Sequence, residues 1–79
     1  MTDRIPLTDM ETGATGTVAE ILGGNEVRSR LRALGIRPGV AVSKVSSVSR
    51  RGPVVVQVGN TQASLGFGIS YKVVVEVEQ

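Results

Sequence analysis

A mainly β fold with one helix follows from three features of this chain. Short runs rich in β-branched residues lie between glycine, proline and asparagine punctuation at residues 17–22, 40–45, 54–58, 61–65 and 72–78. Only residues 25–34 show helical periodicity, with Val27, Leu31 and Leu34 at i, i+4 and i+7. The chain has 79 residues, the size of one domain whose core is small, burying about 60% of the surface exposed on unfolding. Five short strands are too many for a helical bundle, and the chain is too short for a sandwich. They fit a small, strongly bent SH3-like five-stranded barrel, with an α-helix inserted after the first strand, in which closure removes the strand edges.

Taken in order, Ile5-Pro6-Leu7 reads as an extended lead-in, because Pro6 drives Ile5 towards β or polyproline geometry. Leu7 and Met10 are expected to tuck onto the core. In the strand at 17–22, Val18 and Ile21 have opposite parity, which calls for a bulge near Ala19 or burial on both faces. Gly23-Gly24 breaks that strand, and Asn25 is placed to cap the helix with its side-chain oxygen. Glu26 sits where the helix dipole favours an anion. Gly35 follows the last apolar residue, where a left-handed residue closes many helices, and Pro38-Gly39 suits the centre of a type II turn.

The strand at 40–45 comes next, followed by a polar, basic loop from 46 to 52. Pro53 can only begin a strand, so Val54, Val56 and Val58 face one side of the run it opens. Gly59-Asn60 is a two-residue hairpin signal of the kind that takes a primed turn. Ala63 and Leu65 point inward on the return strand. Residues 66–71 form a compact connection of a single helical turn. In the last strand Val73, Val75 and Val77 face inward, with Glu76 and Glu78 outward.

Composition removes whole classes of function. The chain contains no cysteine and no histidine, so it has no disulfide, no thiolate nucleophile, no zinc–sulfur site and no imidazole base or ligand. Serines are plentiful, but the only residues left to activate one are Lys44 and Lys72, and nothing in their spacing recommends either. Catalysis is therefore not expected. Asp9 and Glu11 are close, yet no loop has the spacing of a calcium site, and solvation accounts for Glu76 and Glu78. Neither a metal nor a cofactor is expected. Gly23-Gly24-Asn25 lacks both the Rossmann glycine spacing and the Walker lysine, so turn chemistry explains it. The N-terminus has no signal-peptide run, and no apolar stretch approaches the roughly 20 residues that span a bilayer; a cytoplasmic location is the default.

Net charge is only +2, but it is unevenly placed. Residues 28–51 hold seven basic side chains and no acid, while four acids precede residue 25 and two close the chain. Arg28 and Arg32 share a helix face one step from the apolar stripe, and Arg30 points elsewhere. Such a face is either simply solvated or a dock for an acidic partner. Nucleic acid is the weaker alternative, because single-strand binders add stacking aromatics, and here the only two, Phe67 and Tyr71, lie far along the chain from the arginines. Those two rings either plug an end of the barrel or stand exposed as an anchor for a partner. Two aromatics do not line a groove for proline-rich peptides.

These residues also carry a family likeness. Gly13-x-x-Gly16-x-Val18, Gly23-Gly24, Arg30-Leu31-x-x-Leu34-Gly35-Ile36-x-Pro38-Gly39, Gly52-Pro53-Val54, Ala63-x-Leu65 and Val73-x-Val75 together resemble the FeoA family, from Leu7 to Val77. The helix exit is the most specific part. FeoA proteins are small cytosolic accessories of bacterial ferrous iron uptake. The resemblance implies an SH3-like barrel and a regulatory or scaffolding role. The implied partner is the FeoB membrane transporter, through its cytosolic GTP-binding domain. Weak self-association is a further option. The chain departs from the family pattern at Gly66-Phe67-Gly68 and at Ser70, where alanine is usual. The same fold also ends iron-dependent repressors. No DNA-binding helices precede it here, so a free-standing protein is expected rather than a regulator-associated or nucleic-acid-binding domain. The candidate contact residues are Arg28, Arg32, Arg37, Arg50, Arg51, Phe67 and Tyr71. A chain without histidine or cysteine is poorly equipped to carry ferrous iron itself.

Overall fold

The structure, a computed structural model, describes residues 2–47 and 51–78. Strand β1 (Thr2–Pro6) leads through a 3-10 turn (Leu7–Asp9) to β2 (Thr15–Ile21), and helix α1 (Asn25–Ala33) follows. Then come β3 (Ala41–Ser47), β4 (Val54–Val58), β5 (Thr61–Leu65), the one-turn helix α2 (Phe67–Ser70) and β6 (Val73–Glu78). All six strands join one antiparallel sheet in the order β1-β6-β2-β3-β4-β5.

The expectation of five strands is corrected to six, and α1 follows the second strand rather than the first. The extra strand is the N-terminal lead-in, which pairs along its whole length with β6, Thr2 opposite Glu78 and Pro6 opposite Val74. It is a polar edge strand held by its backbone, and its proline sits at the end, where a missing donor matters least. Among the described residues no ladder joins β1 to β5, so hydrogen bonding does not close the expected barrel. β3 also runs on to Ser47, into what reads as loop.

The bulge expected near Ala19 is present: the β2–β6 register shifts between Val18 and Glu20, which lets Val18 and Ile21 both face the core. Just before it, Gly16 lies so close to β6 that a Cβ there would stand 2.9 Å from the Glu76 carbonyl oxygen. Lys44 faces inward on the same alternation that buries Val42, and a second shift follows it, between Lys44 and Ser46, with Val45 exposed. Lys44 is thus not part of a solvated basic stretch. It is buried, and its Nζ donates to the carbonyls of Thr8 at 3.1 Å and Met10 at 2.7 Å, tying the 3-10 turn to β3.

At the start of α1 the cap is Gly24, not Asn25, which is the first helical residue and makes no capping bond. Gly24 takes the extended conformation and its carbonyl accepts the first helical bond, from the Arg28 amide at 3.2 Å. The exit is a Schellman motif: the Ile36 amide reaches back to the Leu31 carbonyl and the Gly35 amide to that of Arg32, both at 2.9 Å. Gly35 has φ +86°, the left-handed conformation this closure needs. Of the predicted apolar stripe, Leu31 is fully buried, Val27 is half-buried and Leu34 remains 36% exposed. A type II turn follows, with φ +95° at Gly39 and the Val40 amide bonded to the Arg37 carbonyl. The β4–β5 hairpin turns on Gly59 with φ +58°, the primed geometry expected there.

The core is one cluster. Val18, Val42, Val54, Val56, Leu65, Val73 and Val75 come from five strands, and Leu31, Ile36, Leu7 and Met10 join them from α1, its exit and the 3-10 turn. Ala63 and Val77 pack against its edge, half-buried.

Candidate functional site

Helix α1 carries Arg28 and Arg32 one turn apart on the same face, both exposed. The Schellman exit then reverses the chain, and the turn after it is stitched to β2 by two bonds, Gly39 amide to Val18 carbonyl at 2.8 Å and Val18 amide to Val40 carbonyl at 2.9 Å. Arg28 and Arg32 from the helix and Arg37 and Pro38 from the turn together line a groove of about 310 Å³. Ile36 and Ile21, both core residues, supply its apolar lining, and Glu20 from the end of β2 borders it. Among the described residues none of the three arginines makes an ion pair, not even with Glu20. The groove is therefore basic, solvent-facing and electrostatically unsatisfied.

Arg30 borders a different hollow, beside Leu34, Leu65 and Ile69, so the two faces of α1 separate as their spacing predicts. Arg51 stands on a third feature, a depression of about 580 Å³ bordered by Thr8, Asp9 and Phe67. Arg50 lies outside the described residues. Of the seven candidate contact residues, three thus converge on the α1 groove, and Arg51 and Phe67 meet elsewhere.

The two aromatics do not plug an end of the fold. Phe67 opens α2 and Tyr71 closes it, with 37% and 42% of their surfaces exposed. They stack on each other, ring centroids 5.3 Å apart and planes at 22°, and the Lys72 ammonium lies 5.9 Å from the Tyr71 centroid. Spacing of i and i+4 across one helical turn produces the stack, while Ser70 rather than either ring fills the interior position.

Glu20, Ile21, Ile36 and Pro38 belong to the groove but are not legible as contact residues from their spacing alone. The available signal is the helix exit itself, because a Schellman motif followed by a type II turn brings residues 36–38 back against the strand before the helix.

With this geometry in view, the FeoA domain model matches residues 5–77. The chain belongs to the FeoA family. Its fold matches the crystal structure of an iron uptake regulatory protein, also a FeoA, at 32% identity and a TM-score of 0.84, covering 95% of this chain and 99% of that one. It also matches FeoA of Stenotrophomonas maltophilia in complex with zinc, at 29% identity and a TM-score of 0.76, over 90% of this chain and 88% of that one. That relative is described as a prokaryotic SH3 domain protein and a candidate activating factor of bacterial ferrous iron transport. A manganese-dependent transcriptional repressor shares the fold at a TM-score of 0.88 but only 19% identity, and this chain spans 44% of it; the likeness is one of fold. No curated relative matches the sequence. As a FeoA domain the chain is linked to ferrous iron transport, and among its described residues no helix is long and apolar enough to cross a membrane.

Proposed function

We propose that this FeoA protein is a non-enzymatic accessory of bacterial ferrous iron uptake that works in the cytoplasm. Its partner is the cytosolic GTP-binding part of a FeoB-type transporter, and its fold is a variant of the SH3-like barrel. The observation that carries this reading is an open basic groove, with three arginines that make no ion pair among the described residues, on a chain of this family. Unpaired guanidinium groups at a surface favour encounter with an acidic protein face and raise its rate. With no histidine or cysteine in the chain, this protein is poorly equipped to carry ferrous iron, which is the transporter's cargo. Exposed Phe67, Tyr71 and Arg51 offer a second contact area of the kind that supplies interface anchors.

Titration of the purified chain into the transporter's cytosolic domain, followed by calorimetry or by amide shifts, tests the proposal. Saturable binding that weakens with salt is expected. Absence of binding, together with unchanged ferrous iron uptake when the gene is deleted, overturns it.

A further inference from the structure

The geometry points to the α1 groove as the seat of an acidic, partly apolar protein segment. This inference rests on the partner reading above and specifies the chemistry that the groove recognises. Arg28, Arg32 and Arg37 place three guanidinium groups around one hollow, each free of an ion pair among the described residues. The apolar lining is Ile21, Ile36 and Pro38, of which Pro38 is exposed, so the matching occupant offers carboxylates to the arginines and an apolar side chain to Pro38. Guanidinium forks suit carboxylates, which they can bind through two parallel N–H···O bonds.

Two observations separate such a segment from nucleic acid. Glu20 borders the same groove and would repel a run of phosphates, whereas a protein segment can meet it with a lysine, an arginine or an amide. No aromatic ring lines the groove, and the stacked Phe67–Tyr71 pair belongs to α2, so no platform for bases is present where the cations are. The groove therefore has the charge of a polyanion site without its stacking surface, and Glu20 sets a register that only a mixed sequence satisfies.

The test uses the full chain and a labelled short peptide in which glutamates alternate with leucines and one lysine is included to meet Glu20. Its analogue with serine in place of each leucine and a single-stranded oligonucleotide of equal charge serve as comparators. The leucine peptide should bind with amide shifts centred on residues 20–21, 28–32 and 36–37, and the serine analogue and the oligonucleotide should each bind more weakly. Arg28→Ala with Arg32→Ala should weaken the peptide roughly tenfold, two exposed charge pairs together amounting to about one such step. Circular dichroism should show that the double variant remains folded, since both side chains are exposed. Glu20→Gln should raise affinity for the oligonucleotide more than for the peptide. Equal binding of the serine analogue, tighter binding of the oligonucleotide, or shifts confined to α2 would each overturn the inference.

The transporter's cytosolic domain, titrated against the wild-type chain and the double variant, separates the two proposals. Equal binding to both overturns the groove inference and leaves the partner reading standing. Binding of the peptide at the groove without any binding of the transporter domain supports the groove inference and removes that partner.

Discussion

Ser70 and Lys44 show how single polar side chains are treated inside this small core. The Ser70 side chain is fully buried, and among the described residues its hydroxyl has no hydrogen-bond partner. A buried hydroxyl without a partner is unfavourable by about 1–3 kcal/mol, so Ser70→Ala should stabilise the protein. A gain of about 1 kcal/mol would raise Tm by roughly 4–8 °C in a domain of this size, measurable by thermal unfolding. Lys44 is the reverse case. Its two carbonyl partners, on Thr8 and Met10, would lose their donor in Lys44→Met. That variant should be less stable by about 1–3 kcal/mol in denaturant titration, although methionine fills a similar volume. Neither environment is legible in the sequence. Lys44 reads as one more charge in a basic stretch; alternation puts it on the face of Val42, but the Thr8 and Met10 carbonyls that receive it come from a distant segment, which no local signal encodes.

At the scale of elements, α1 is held by one side chain and by its exit. Leu31 is the buried member of the stripe, and Leu31→Ala should reduce stability by about 2–5 kcal/mol, enough to unfold a marginal domain at 37 °C. Gly35→Ala isolates the backbone contribution. A Cβ there would meet only the Val58 side chain, at an ordinary 3.6 Å, so the expected loss of about 1–2 kcal/mol comes from the left-handed conformation alone. Chemical denaturation of both variants checks the two numbers. Helix, exit and turn are all legible in sequence, because their signals are local: a period, a glycine past the last apolar residue, and Pro-Gly. Strand β1 is not. Thr2-Asp3-Arg4 carries no alternation and little apolar surface, and its pairing is made by backbone groups that β6 offers from the other end of the chain. The cross-strand contact of Arg4 Nε with Glu76 Oε2, at 3.4 Å, follows from that pairing and adds little at such exposure.

For the molecule as a whole, the strand order predicts where the sheet opens first. β1 and β5 are the edges, and each has a partner on one side only. Amide exchange should be fastest along β1 and β5 and slowest in the inner strands β6 and β2, whose amides bond on both sides; uniform protection would contradict an open sheet. The same arrangement separates the two surface features. The basic groove forms where α1, its exit and the end of β2 meet, while the aromatic stack sits on α2 ahead of β6.

Local chemistry in the sequence determined the mainly β character, the single long helix with its turn, the hairpin, and the lack of any imidazole or thiolate chemistry. It also determined that Arg28 and Arg32 share a face, because a helical period is a property of neighbours in the chain. Only the tertiary structure decided that Arg37 completes a groove with them, that Arg51 and Phe67 belong to a different depression, and that Glu20 borders the arginines without pairing to them. The groove relations depend on the reversal at Gly35 and the bonds between Gly39, Val40 and Val18. Such bonds join segments whose proximity no local signal encodes.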